Sequence, residues 1–427
     1  MFSKNLVRRI VAAMLVAHLA APSWAADALS LTEALRIAAS RSRLLMAQDA
    51  GVVAAQEMSV FARQLPDPVL KLGIDNLPVN GPDRFSLTRD FMTQRRIGIA
   101  QELPRADKRQ ARAVRFEQDA LKVQAERQAA LANLQRDTAM AWSDRYYSEC
   151  MHELLLRQIG EFRLQVEAAD IAFRTGRGSQ ADALAARSAV LGLEDRISQI
   201  ERQTRSAAVV LSNWIGKEAD RPLQGVLMWR NSRNALALTS EHLASHPQMA
   251  VLEAQTAAAE AELRLAQASR RPDWSVEASY SQRGPAYSNM LSVGVSIPLQ
   301  WDQTNRQDRE VAAKAAMVTE ARARYDDMLR THEAEIRALQ NDWQSGKGRL
   351  DRYEAQLLPM AAQRTEAALT AYRTGKADLT SVLVARREAI ETRMQALTLE
   401  METARLWAQL NYLTPDTTLN AQRKEQP

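Results

Sequence analysis

Apolar side chains recur at Met151, Leu155, Ile159, Phe162 and Val166. Steps of three and four residues put them on one helical face. Between Pro104 and Gly176 the chain holds one helix-weakening residue, Gly160, and is rich in Ala, Leu, Gln, Glu and Arg, which favour helices. The pattern predicts a single helix of about 70 residues, a rod of roughly 105 Å. A compact domain does not enclose such a rod, so the helix belongs to a coiled coil or a helical barrel. After Gly176 to Ser179 the stripe resumes at Val190, Leu193, Ile197 and Ile200, which predicts a return helix to about Trp214.

The design returns about 199 residues later. The stretch AFRTGRGSQADALAAR at 172–187 aligns without a gap to AYRTGKADLTSVLVAR at 371–386. Arg174, Thr175, Gly176 and Leu184 thereby match Arg373, Thr374, Gly375 and Leu383. The same register pairs Gly160 with Pro359, and each is expected to bend its long helix or give it an irregular turn. The second return helix carries Ile390, Met394, Leu397 and Met401. Repetition at this period makes the chain two structural repeats, 26–226 and 227–427, behind a leader at 1–25.

Upstream of each long helix the pattern changes. An Ala-rich helix leads to LPDPVLKLGID at 65–75 in one repeat and to RPDWSVEASYS at 271–281 in the other. A second β-prone stretch follows each, RRIGIAQELP at 95–104 and MLSVGVSIPL at 290–299. Two strands per repeat give four per chain. Four strands cannot close a barrel alone, and an open edge is not tolerated in lipid. Three chains would supply twelve strands, an even number suited to an outer-membrane barrel. The fold class expected is mainly α with a small β part. Long coiled-coil helices in a helical barrel, with the four strands completing a 12-stranded β-barrel in a homotrimer, fit this pattern, and so does a soluble periplasmic helical protein with two small hairpins.

Composition supports the long helices. Gly 15 and Pro 14 are few for 427 residues, which disfavours a large all-β protein or a doubly wound enzyme. Lys4, Arg8 and Arg9 precede the apolar run at 10–21, and PSWAA follows it. These features make a secretory leader, with cleavage expected after Ala25. The run is too short to span a bilayer. Removing three basic residues lowers the formal charge from +5 to +2, so the basic balance is no argument for nucleic acid.

Catalytic and metal-binding constellations do not present themselves. His152, His242, His246 and His332 are scattered, and the HLASH spacing of His242 and His246 runs straight into Pro247, which reads as a helix start rather than a metal-binding helix. The single Cys150 permits no intramolecular disulfide and reads as a packing residue. No cofactor and no resident metal are expected. The two RTG turns carry the functional expectation. Gly permits a left-handed turn and close approach, and a cation before it suits a helix C-terminus. Asp182 and Asp378 lie just past the turns, where they suit either a helix start or an acidic ring at a closed aperture. Arg174 and Arg373 are placed to bridge neighbouring helices.

The whole pattern resembles the TolC-like outer-membrane efflux factor family. The resemblance rests on LTEALRIA at 31–38, the two Pro-Asp strand starts and the duplicated turn, although Ser381 stands where the family turn has Asp. It implies a passive trimeric duct, not an enzyme. A β-barrel lies in outer-membrane lipid, and a helical barrel extends through the periplasm. It implies helix tips that meet a periplasmic adaptor and an inner-membrane pump of the resistance-nodulation-division type. PDPVLKLGIDNLP at 66–78 and QELPRADKRQAR at 101–112 are similar to the heavy-metal branch, the CzcC- and CusC-like channels. Asp107 replaces the Gly that often precedes Lys108 in that branch. The alternatives are the same duct serving drugs or other small molecules, a periplasmic adaptor, and a coiled-coil scaffold.

Overall fold

The computed structural model describes residues 28–225, 229–232 and 243–418. The leader, the repeat boundary near residue 226 and His242 lie outside the described residues. Helices α1 (Leu31–Arg41) and α2 (Arg43–Arg63) lead to strands β1 (Val69–Asp75) and β2 (Gln94–Leu103). Helices α3 (Ala106–Arg174) and α4 (Gln180–Ile215) follow. The chain then passes through α5 (Pro247–Ala268), β3 (Trp274–Gln282) and β4 (Met290–Ser296). It ends with α6 (Gln307–Arg352), α7 (Leu358–Arg373) and α8 (Leu379–Asn411). The protein is mainly α with one small sheet, as the periodicity predicts.

Helix α3 holds 69 residues, a rod of about 104 Å. Its stripe buries Met151, Leu155 and Phe162, and the facing stripe of α4 buries Leu193, Ile197 and Ile200. Burial of such side chains is worth about 1.5–3 kcal/mol each, and it continues along both rods. Helix α8 packs on α6 and α7 and also on α3, so it joins the two helical hairpins. Arg405 on α8 grips Asp144 on α3 with both ends of its guanidinium, at 2.5 and 2.6 Å. Gly346 lets α6 approach α8: a Cβ there would sit 2.6 Å from the Thr403 hydroxyl.

The two long helices treat their weak points differently. Helix α3 runs through Gly160 without interruption, so the irregular turn expected there is absent. Glycine keeps its N–H, and the hydrogen-bond ladder continues through it. Pro359 has no N–H, and its ring would collide with the carbonyl one turn earlier. The chain answers with a π-turn at Tyr353–Leu357, in which the Leu358 N–H donates to the Tyr353 carbonyl five residues back.

Tryptophans lock each long helix to an entering strap. The Trp142 indole donates to the Leu29 carbonyl, and the Trp343 indole donates to the Trp229 carbonyl. The partners in the second pair lie about 200 positions after those in the first, close to the offset between the turns. Lys347 donates to the Arg230 carbonyl and Trp407 to that of Asn231, so three consecutive carbonyls of the second strap are held.

The sheet is an antiparallel meander in the order β1-β2-β3-β4. Leu72 pairs with Ile97, Ile97 with Tyr280 and Tyr280 with Leu291. Lys71 pairs with Gly98, Gly98 with Ser279 and Ser279 with Ser292. Side chains alternate across a strand. This register therefore sorts the residues into two unlike faces.

Candidate functional site

One sheet face carries Leu70, Leu72, Ile97, Ile99, Val276, Tyr280, Leu291, Val293 and Val295, and all are exposed. The opposite face carries Gly, Ser and charged residues. There Lys71 reaches over Gly98 to Glu277 at 2.5 Å, and Arg96 meets Asp75 at 3.1 Å. A sheet bare and apolar on one side, small and charge-paired on the other, suits lipid outside and water inside. Strands β1 and β4 each have a single partner strand, so both outer edges of the sheet are open. No described helix is long and apolar enough to cross a membrane.

The hairpin tips are built alike. Gly176 and Gly375 have φ of +70° and +73°, the left-handed region that favours glycine. At the first tip the Gly176 N–H donates to the Phe173 carbonyl and the Arg177 N–H to that of Ala172. At the second, Gly375 donates to Tyr372 and Lys376 to Ala371. These are the paired bonds of a Schellman cap. The hydroxyls of Thr175 and Thr374 each donate to carbonyls of the preceding turn. Each residue of the Thr-Gly pairs thus has a share in ending the helix.

The return helices begin with an exchange of the same two groups. At the first tip Ser179 is the N-cap, and it bonds reciprocally with Asp182. At the second tip Asp378 is the N-cap, and it accepts from the N–H and hydroxyl of Ser381. Ser179 and Asp378 hold equivalent positions in the repeat, as do Asp182 and Ser381. The acid that the second turn lacks at one place is supplied at the other. Asp182 also accepts from the Thr380 hydroxyl at 3.2 Å, which brings the two tips side by side. Hydrogen bonds from Ser179 hold the Asp182 carboxyl below its usual range, and those from Ser381 do the same for Asp378. Both acids are therefore ionised caps.

Arg174, Thr175, Gly176, Arg373, Thr374 and Gly375 are exposed at the tips. A Cβ added at either Gly would meet nothing within 4 Å. Leu184 is also exposed, whereas its repeat mate Leu383 is 6% exposed. The two leucines, matched in the repeat and both candidates for the docking tips, thus differ in exposure. Helix α8 packs substantially on α3, α6 and α7, whereas α4 packs chiefly on α3 and only lightly on α8. Leu383 instead forms part of a groove of about 670 Å³ between α4 and α8, with Phe162, Leu193 and Ile390. The Arg196–Glu391 ion pair, at 3.0 Å, lies on its edge. Arg174 and Arg373 make no salt bridge among the described residues. Helices are bridged by Arg187 to Asp170 and by Arg386 to Glu161, at 3.0 and 2.9 Å.

The sequence did not foretell a buried contact between His246 and His332, whose ring nitrogens lie 2.9 Å apart. His246 caps α5 just before Pro247, as the HLASH-Pro pattern suggested. Its partner arrives from α6, 86 residues on. Among the described residues no group of three or more His, Cys, Asp or Glu could hold a metal. Burial lowers the His332 pKa from 6.5, so the fold favours the neutral ring. Stability from this contact is full above pH 6.5 and declines as pH falls through the lowered value. Thermal unfolding followed from pH 7.5 to pH 5, by about one pH unit at a time, is expected to show a falling midpoint. His332→Gln is expected to flatten that slope.

Residues 238–414 match the model of the outer membrane efflux protein family. None of the curated proteins matches the chain in sequence. Its fold is shared with a membrane protein from Pseudomonas aeruginosa at 15% identity and a TM-score of 0.77, over 90% of this chain and 92% of that one. It is shared with CusC, described by its transmembrane channel formation, at 14% identity and a TM-score of 0.74, over 90% and 92%. The outer membrane protein VceC of Vibrio cholerae gives 19% identity and a TM-score of 0.74, over 90% and 95%.

Proposed function

We propose that this protein is a TolC-like outer membrane efflux protein and works as the exit duct of a tripartite efflux system. Three copies join β4 of one to β1 of the next and close a twelve-stranded barrel in the outer membrane. The observation that carries the reading is the sheet: an exposed face that is apolar across its middle, with Arg95, Gln282 and Gln101 toward its ends, on a meander with two open edges. Unpaired strand edges are costly in hydrocarbon, and closure removes them. The charge-paired face then lines a water-filled lumen. The long hairpins continue the duct through the periplasm as a helical barrel.

The duct needs no catalytic group. Its six tips seat a periplasmic adaptor, and the adaptor brings an inner-membrane pump of the resistance-nodulation-division type. Exposed Arg-Thr-Gly turns with open space above each Gly support docking, as does the adjoining α4–α8 groove. The ionised Asp182 and Asp378 place six carboxylates near the tip end of the trimer, where an acidic ring favours cations. With the strand-start resemblance to the heavy-metal branch, this supports heavy-metal cations as the cargo. A deletion strain is expected to lose tolerance to divalent or monovalent heavy metals and to keep its tolerance to organic drugs. Loss of drug tolerance alone would assign the duct to the other cargo.

A further inference from the structure

We propose that the rim where the helices meet the sheet binds the headgroups of anionic phospholipids. Trp274 and Trp301 mark the hydrocarbon boundary, and Arg271, Arg306 and Arg309 supply the cations. The inference rests on the membrane placement above and adds a lipid class and a site to it.

The apolar alternation of β4 continues past the strand. Leu291, Val293, Val295, Ile297, Leu299 and Trp301 are all exposed, and Trp301 is 88% exposed. Trp274, also exposed, begins β3 at the same end of the sheet, paired with Leu103. An indole at the end of an apolar band sits at the headgroup level of a bilayer. Arginines follow immediately on the helix side. Arg271 lies three residues before Trp274, and Arg306 and Arg309 lie five and eight residues after Trp301.

The rim is one connected surface. Arg270 at the end of α5 pairs with Asp308 at the start of α6, at 2.9 Å. Lys108 at the start of α3 pairs with Asp273, at 2.6 Å. Arg105 pairs with Asp107. These carboxylates are thereby engaged, with Asp107 also drawn to Arg271, and Asp302 accepts from Asn305, while Glu102 lies beside the Leu103–Trp274 pair and offsets part of the positive charge. Glu310 offsets one positive charge. Arg271, Arg306 and Arg309 are exposed and make no salt bridge among the described residues. A guanidinium beside a phosphate forms strong, two-pronged bonds. A net anionic headgroup adds the charge that a zwitterionic one lacks.

The test is native mass spectrometry of the full-length protein in detergent with equal amounts of phosphatidylglycerol and phosphatidylcholine. Phosphatidylglycerol adducts are expected to dominate, by roughly fivefold for each cation engaged. The triple variant R271Q/R306Q/R309Q is expected to bring the two lipids to parity at unchanged oligomer mass. Added salt is expected to erode the wild-type preference, which provides a reading should the variant not fold. Equal adducts on the wild type, a preference insensitive to salt, or a triple variant that keeps it would each overturn the proposal. A lipid-carrying trimer without preference defeats this inference alone. A lipid-free monomer defeats the membrane reading as well.

Discussion

Val293→Arg is expected to remove the protein from the outer membrane, whereas Ser292→Arg leaves it there. The two residues are neighbours on β4 and face opposite sides of the sheet. Val293 is 76% exposed on the apolar face, midway along the strand. An arginine at the middle of a lipid-facing band costs about 2–4 kcal/mol. In a trimer that penalty enters three times, comparable to the whole stability of many domains. Position 292 looks into the lumen, where an arginine stays hydrated and joins residues such as Lys71 and Arg96. Density-gradient fractions probed for each variant would measure the difference. Equal membrane yields would contradict the two-faced sheet.

The double variant Gly176→Trp, Gly375→Trp is expected to assemble as the wild type does and to lose efflux. A non-glycine residue held in the left-handed region costs roughly 1–2 kcal/mol. That strain falls on a solvent-exposed turn, far from the buried stripes that hold α3 on α4. Because nothing lies within 4 Å of either added Cβ, the new side chain disturbs no neighbour in the chain and projects to where a partner would sit. Gly176→Asn with Gly375→Asn separates strain from obstruction, since Asn tolerates this conformation. Metal tolerance of strains carrying each pair, beside trimer yield, is the measurement. The tryptophan pair should match the deletion strain and the asparagine pair should approach the wild type. Full tolerance with tryptophan at both tips would remove the docking role.

Much of this was legible because long helices and short strands announce themselves through period. The 3-and-4 spacing of Met151, Leu155 and Phe162 placed a rod that the structure shows unbroken. The alternation in MLSVGVSIPL placed β4. The RTG turns were legible because a Schellman cap demands Gly at one position. The fate of Leu184 and Leu383 was not legible. Their sequences match, but α8 packs extensively on the other hairpin through α3 while α4 meets α8 only lightly, and that asymmetry is tertiary.

Gly160 and Pro359 matched in register and differed in consequence, since only proline loses a donor and forces a wider turn. The capping exchange at Ser179 and Asp182, against Asp378 and Ser381, was visible as two polar pairs three residues apart. It was read as an acid missing from one repeat rather than moved within it. The Trp142 and Trp343 straps also recur near the repeat period, and that spacing was the available signal. The His246–His332 contact carried none, because its partners come from different elements with no shared pattern.

Closure of one barrel by three copies is the claim on which the rest depends, and a disulfide between open edges tests it most directly. Gly73 on β1 and Ser292 on β4 both face the lumen side. With cysteine at both positions and Cys150→Ser, oxidised outer membranes are expected to yield covalent trimers that reduction returns to monomers. Each single variant should yield none. A doubly substituted chain that stays monomeric under oxidation, recovered in the soluble periplasmic fraction, would contradict the account.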